Sequence, residues 1–398
     1  MSYKSILISL CCFALSSPAF AAGYTTADTS VTAMAAGGTA TARKGDAAAA
    51  YKNPAATLFA PGLKVSLGAI LAAPTLSAQA TSFESQTEGG LSVPPHAHAS
   101  YATQDFAIGA SFTVPYGSGI SWPADWTRRF DLVSADFKVL RTSLFLGGRY
   151  GMVSVAAGVL FDSAELQFVR NIDFISDEGT VSLDTAATAI GGHASIFIEP
   201  TDWLSLGAAW KGKTHFNLDG FASFQTPEEF QNRAANGPVN TSLTMPHQLS
   251  FGVETRIGNQ IAINADVDVT LWSSVEQLAI DFEDEGTEDV FKERQWGTTV
   301  TPRLGVSYQP MDLLTLRAGA FYDPSPVPAE TVGADSPDSS RLGISLGLGL
   351  TLPGGTAVDL AYQRIEFQGA TSSATAENEA VTFGGGVHLA GIAVTYSI

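Results

Sequence analysis

The sequence predicts an all-β protein: a 14-stranded antiparallel transmembrane β-barrel with a small N-terminal helical plug in its lumen. Three observations carry this. Stretches of about ten residues alternate between apolar and polar side chains, the length a tilted strand needs to cross a bilayer. The connections between those stretches are short and long in strict turn. One long segment near the N-terminus does not alternate at all.

Residues 1–21 read as a secretory signal peptide. Lys4 precedes the apolar run from Ile6 to Leu15, and Ala19-Phe20-Ala21 supplies a small-x-small cleavage site. Cys11 and Cys12, the two cysteines of the chain, fall inside it, so the mature chain has no disulfide, thiolate metal site or cysteine nucleophile. No later run of apolar residues is long enough for a membrane helix.

Residues 22–62 are rich in Ala and Gly and too polar for a strand. Asp46 is placed to cap a short helix over Ala47 to Ala50, and Pro54 forces an exit near Asn53. Folded into the lumen, this segment is a plug. Residues 63–398 form the barrel. Strands are expected near 63–73, 96–103, 105–115, 139–149, 152–162, 184–198, 203–216, 245–256, 260–272, 297–309, 313–322, 341–351, 356–364 and 387–398. Ile261 to Leu271 shows the pattern: Ile261, Ile263, Ala265, Val267 and Val269 on one face, Asn264, Asp266, Asp268 and Thr270 on the other.

Short turns follow the even strands, as at Gln104, Gly151 and Gly258-Asn259, and long loops follow the odd ones. That sorting matches short periplasmic turns and long outer loops, and it puts both chain ends in the periplasm. Tyr101, Tyr150, Trp203, Tyr308, Tyr322, Tyr362 and Tyr396 sit where interfacial girdles belong. A net charge of −18 excludes nucleic acid as a partner. Arg149, Lys211, Glu254, Asn264, Asp266, Asp268, Arg303, Arg317 and Asp359 fall on the face away from lipid, as charge requires. They either pair with one another or, at Lys211, Arg303 and Arg317, offer a cation to the head group of a solute.

Several motifs resemble those of the outer-membrane hydrophobic-compound transporters, the FadL/TodX family of fatty-acid and aromatic-hydrocarbon channels. They are Asn53-Pro54-Ala55 just before the first strand, Val114-Pro115-Tyr116-Gly117 after the third, and Asp125-Trp126-Thr127-Arg128-Arg129-Phe130 followed by Ala135-Asp136-Phe137-Lys138. Later matches are Trp272-Ser273, Arg303-Leu304-Gly305, Leu316-Arg317-Ala318-Gly319 and Asp359-Leu360-Ala361-Tyr362, so the resemblance spans nearly the whole mature chain. It implies passive uptake of a hydrophobic solute: capture at outer loops, passage to a lumen pocket, and release through a gap in the wall as the plug shifts. The implied gap lies at a kink in strand three, where Gly109 and Pro115 are the residues that weaken a strand. Trp122, Trp126, Phe130, Phe221 and Phe224, aromatic residues in polar outer loops, are the capture candidates. The alternative is that these loops pack on one another. The partners implied are the solute, outer-membrane lipid and lipopolysaccharide, and the barrel assembly machinery, with the protein a monomer and no cofactor. One departure is the C-terminal Ile398, where an aromatic residue is usual.

A general diffusion porin shares the alternation but lacks an N-terminal plug. An outer-membrane lipase needs a serine beside a histidine base, and none of the six histidines lies in such a motif. His96-Ala97-His98 places two imidazoles on one strand face, a pair too small to define a metal site.

Overall fold

Backbone that crosses hydrocarbon must satisfy every N–H and C=O within itself, and strands do so only as a closed cylinder. The structure, a computed structural model describing residues 23–26, 29–174, 177–230, 235–283, 289–374 and 379–398, has that form. The signal peptide expected over residues 1–21 lies outside the described residues. The strands are β1 (Gly62–Gln79), β2 (Pro95–Ala102, with a short outer piece Glu84–Gln86), β3 (Phe106–Ser121), β4 (Ser134–Tyr150), β5 (Val153–Asp173) and β6 (Glu178–Thr201). Next come β7 (Leu204–Lys211 and Thr214–Gln225), β8 (Gly237–Met245 and Gln248–Ile257), β9 (Ile261–Thr270 and Gln277–Phe282) and β10 (Val290–Glu293 and Thr299–Met311). The circuit ends with β11 (Leu314–Asp323), β12 (Arg341–Leu352), β13 (Thr356–Thr371) and β14 (Thr382–Ser397). Five strands are in two pieces, so nineteen ladder segments make fourteen strands among the described residues. Antiparallel pairing closes β14 on β1, from Lys64 opposite Ser397 to Gln79 opposite Thr382. At the short-turn end, Leu63 N donates to Ile398 O (3.0 Å) and Ile398 N to Leu63 O (2.9 Å).

The strands are longer than the sequence reading allows. Much of what it assigns to long outer loops is ladder: β5 runs to Asp173, and β6 starts at Glu178. The reason is a change of polarity along strands that keep their geometric phase. In β4 near the membrane, Leu144 and Leu146 face lipid while Arg141 and Ser143 are buried in the lumen. Further out on the same strand the inward side chains are Phe137 and Val139, both buried, and the outward ones are Asp136 and Lys138. The membrane half is apolar outside, and the outer half is apolar inside.

The N-terminal segment lies inside this cylinder. It contains α1 (Val31–Ala35), α2 (Ala49–Lys52) and a 3-10 turn (Pro54–Phe59), nearly all buried. Asp46 accepts from Ala48 N (2.9 Å) and pairs with Arg43 (2.8 Å), which fixes the start of α2. The wall meets the segment with bare backbone. A Cβ at Gly207 or Gly252 would collide with Thr41, one at Gly305 with Ala36, one at Gly319 with Ala36 and Gly37, and one at Gly347 with Ala35. Between these glycines, Asp266 of β9 accepts from both Ala40 N and Thr41 N at 2.9 Å. A shelf of wall glycines and one carboxylate therefore seats the segment. Gly319→Leu is expected to destabilise the protein by about 1–3 kcal/mol through overpacking and to raise planar-bilayer conductance as the segment shifts. Unchanged unfolding and conductance would show that the shelf is not close-packed.

Candidate functional site

The site starts from a fault in one strand. The lower half of β3 pairs normally with β2, Ala107–Phe112 against Ala97–Ala102. Its register against β4 then shifts between Thr113 and Tyr116, so Val114 and Pro115 bulge, and Pro115 has no N–H to donate. Above Phe112 no ladder joins β3 to β2 among the described residues, because the lower piece of β2 begins at Pro95 and its outer piece pairs with β1. The N-terminal tail takes that edge. Thr25 bridges to Tyr116, Gly117 N donates to Tyr24 O (2.7 Å), and Thr26 N donates to Pro115 O (3.0 Å). The Thr26 hydroxyl adds a bond to Val114 O (2.7 Å).

Of the two strand-weakening candidates, Pro115 lies in the fault and Gly109 does not. Gly109 is paired on both sides, with Ser100 and Phe145, and its missing Cβ leaves room for the Phe145 ring.

Behind the fault are two chambers. The outer one is apolar, lined by Phe137, Leu166, Phe168, Leu183, Leu243 and Ile280, with Arg294 and Asp335 at one side. Another apolar cavity further out shares Phe168, Leu183, Leu278 and Ile280 with it and adds Phe224 and Phe282. The inner chamber is polar and contains Lys52, Lys211, Asp268 and Arg303, with Pro115 and Trp272 in its wall. Aromatic rings separate the two: Tyr24 lies 4.9 Å from Phe137, 5.0 Å from Trp296 and 6.3 Å from Trp272, centroid to centroid. Tyr24 thus belongs both to the tail that closes the wall and to the partition between chambers. Burial pushes its phenol up, so it stays neutral. Burial alone would also raise the Asp335 carboxyl, but the Arg294 and Lys292 charges outweigh it and hold it well below the usual carboxylate range.

The three lumen cations differ. Arg303 Nε is bound to Asp268 (2.7 Å) and its Nη1 reaches Gly37 O (3.3 Å). Arg317 is bound to Asp359 (2.7 Å). Both are held by wall carboxylates, and Arg303 also reaches the segment. Lys211 is buried with its ammonium 4.5 Å from the centre of the Tyr51 ring, and it forms no ion pair among the described residues.

The capture candidates also divide. Trp122 and Trp126 are not displayed to water: they stack at 4.4 Å, and Trp122 is 1% exposed. Their indoles donate to Ala334 O (3.3 Å) and Leu132 O (2.7 Å), because their loop folds into the barrel mouth. Phe130 is half-buried under Arg129, 4.6 Å away. Phe221 is 49% exposed on the outer face of β7, away from the cavities, whereas Phe224, on the opposite face, lines the outer one. Asn53-Pro54-Ala55 fastens the segment to the wall: Asn53 Nδ2 donates to Thr41 O (2.7 Å) and Ile196 O (3.1 Å), and Ala55 N to Ser195 Oγ (3.1 Å). His98 meets Thr29 O at 3.1 Å. The sequence reading missed Tyr24, Trp296, Arg294 and the chamber walls. The available signal was the continued alternation of 135–139 with its polarity reversed.

One further pair binds the fault to the segment. Arg141, opposite Thr113, is fully buried and grips Asp162 with Nε and Nη2 at 2.7 and 2.6 Å. Asp162 also accepts from Thr214 (2.9 Å), and the Arg141 guanidinium lies 5.4 Å from the Tyr116 ring centre.

A family model described as outer membrane protein transport protein (OMPP1/FadL/TodX) matches residues 12–397. The chain belongs to that family. It is an outer-membrane β-barrel of a transport family rather than an enzyme. Outer membrane protein P1 of Haemophilus influenzae is 28% identical over 187 residues, 47% of this chain and 40% of that protein. The long-chain fatty acid transport protein of Escherichia coli is 26% identical over 275 residues, 64% of this chain and 60% of that protein. The matched region thus spans only part of each relative. Among solved structures, a Pseudomonas aeruginosa FadL homologue superposes with a TM-score of 0.85 at 19% identity, covering 94% of this chain and 99% of that one. The Pseudomonas putida toluene transporter TodX gives 0.74 at 18%, covering 92% and 97%. These likenesses establish the fold.

Removing one partner of a buried ion pair strands the other, so Arg141→Met is expected to cost about 3–5 kcal/mol. Adding Asp162→Leu should recover much of it. A double-mutant cycle on detergent-solubilised protein checks this, and additive losses would mean that the two charges are not coupled.

Proposed function

We propose that the protein takes up hydrophobic compounds passively across the outer membrane, with residues 22–62 acting as its plug. The observation that carries this reading is the placement of two chambers directly behind an interrupted strand whose missing neighbour is supplied by the N-terminal tail. An apolar solute gains little from a water-filled pore, where its surface stays hydrated. It gains from an apolar pocket. Entry is at the cavity lined by Phe224 and Phe282, with rest in the apolar chamber. The solute then passes the Tyr24 partition into the polar chamber, where Lys211 can receive a polar group, and leaves sideways at Val114–Pro115 when residues 24–26 release the β3 edge. No energy source is required. The protein works as a monomer, set in outer-membrane lipid and lipopolysaccharide by the barrel assembly machinery, with both termini in the periplasm.

The test uses the fact that both natural cysteines, Cys11 and Cys12, fall within residues 1–21, which we read as a signal peptide. Thr25 and Tyr116 are bridge partners, a geometry that a disulfide can span. The double variant Thr25→Cys/Tyr116→Cys is expected to lose uptake of a radiolabelled hydrophobic compound when oxidised and to regain it on reduction. Equal uptake in both states would sink the tail-release route. Deleting residues 22–60 should raise planar-bilayer conductance; no change would return the general-porin reading.

A further inference from the structure

Two neighbouring strands break at the same height. β7 is interrupted at Gly212-Lys213 and β8 at Pro246-His247, between the pairs Lys211–Gln248 and Thr214–Met245. A backbone N–H at the edge of hydrocarbon still needs an acceptor. Gly212 N finds Gly192 O of β6 (2.8 Å). Lys213 N finds a side chain: it donates to His247 Nδ1 (3.1 Å), and Trp210 Nε1 donates to the same nitrogen (3.3 Å). The indole and imidazole stack at 5.9 Å. With Nδ1 as acceptor, neutral His247 carries its hydrogen on Nε2, which bonds to no protein group among the described residues. The nearby His215 differs. Its Nδ1 meets the Thr244 hydroxyl (2.7 Å) and its Nε2 meets Asn217 Oδ1 (3.0 Å), so both nitrogens are occupied.

This cluster faces outward at the top of the apolar belt. Trp210 is exposed on the lipid side. On the same face of β6 the last large apolar side chain is Ile190, and above it come Thr188, Ala186 and Asp184. Lys213 is exposed and in no ion pair among the described residues. It is also the one Lys or Arg on the outer face of β6 to β9, in a chain whose net charge is −18. Below it the wall is shallow. Ala157 of β5 stands opposite Ala194 of β6, and the pair is flanked by Leu146 of β4 on one side and Trp210 on the other. An alkyl chain fits along that trough.

We propose that this face binds a lipopolysaccharide molecule of the surrounding leaflet. A lipid A phosphate accepts from Lys213 Nζ and His247 Nε2, and one acyl chain lies over Ala157 and Ala194 against Trp210. The proposal rests on the outer-membrane placement above, gives the lipopolysaccharide contact a site, and involves neither chamber. Charge selects the head group, because two outward donors, one of them cationic, suit an anion. Height selects its source, because the long-loop end of the barrel faces the outer leaflet and the short-turn end the periplasm.

The test titrates full-length protein in detergent micelles with bis-phosphorylated lipid A, dephosphorylated lipid A or phosphatidylglycerol, and counts bound lipid by native mass spectrometry. The unmodified protein is expected to hold one phosphorylated lipid A at least about five-fold more tightly than the dephosphorylated form, the worth of one lysine at an anionic lipid surface. Lys213→Gln should remove that preference, Lys213→Arg should keep it, and Arg364→Gln, on the outer face of β13, should leave it unchanged. Equal binding of the two lipid A forms by the unmodified protein would overturn the proposal. So would equal losses from Lys213→Gln and Arg364→Gln, the mark of diffuse charge attraction. Phosphatidylglycerol held as tightly as lipid A would overturn the assignment to lipopolysaccharide. Should Lys213→Gln not assemble, Trp210→Leu is read instead: it should weaken both lipid A forms alike, and no change would refute the acyl contact. None of these readouts measures transport, so failure here leaves the uptake reading standing.

Discussion

In hydrocarbon a peptide group has no water to turn to. Each unpaired N–H or C=O there costs several kcal/mol, and this one constraint shapes the molecule. It closes β14 on β1, lets the chain leave the wall only at the interfaces, and makes the fault in β3 expensive. The fault is tolerated because residues 24–26 come from inside and take over the bonds that β2 does not make. Wall closure and the position of the N-terminal segment are therefore one structural fact. Nothing can displace the tail without exposing the edge of β3.

The second organising feature is the reversal of polarity along continuous strands. Near the membrane the lumen is filled by ion pairs such as Arg141–Asp162 and Arg317–Asp359, because the apolar residues face lipid. Further out, water lies outside, so the same strands turn their apolar side chains inward around Phe137, Leu166 and Leu183. The apolar chamber sits where the barrel resembles a soluble β-protein. Its boundary with the polar lumen falls at the ring of Tyr24, Trp272 and Trp296.

The same reversal explains what could be read in the sequence. Strand number, loop sorting and lumen-facing charges depend on the membrane half, where alternation has the polarity expected for lipid, and Asp266 and Arg303 were placed correctly on the inner face. The placement of Asn53-Pro54-Ala55 marked where the segment is fastened. The outer half misled because alternation with the opposite polarity looks like loop. Trp122 and Trp126 seemed displayed to water because their loop's path back into the mouth is a tertiary event. Arg294 carries no local pattern, and only its distance from Asp335, forty-one positions away, gives it meaning.

The glycines under the N-terminal segment bear on what kind of opening the barrel can permit. At Gly207, Gly252, Gly305, Gly319 and Gly347 the wall has given up its own side chains to make room. At that level the lumen is filled by the segment together with wall side chains such as Asp266, Arg303 and Arg317. An outer membrane is a permeability barrier first. Were Tyr24–Thr26 alone to leave the edge of β3, the residues seated on the glycines would keep their contacts. The shelf thus holds residues 35–41 independently of the contacts that Tyr24–Thr26 make with β3.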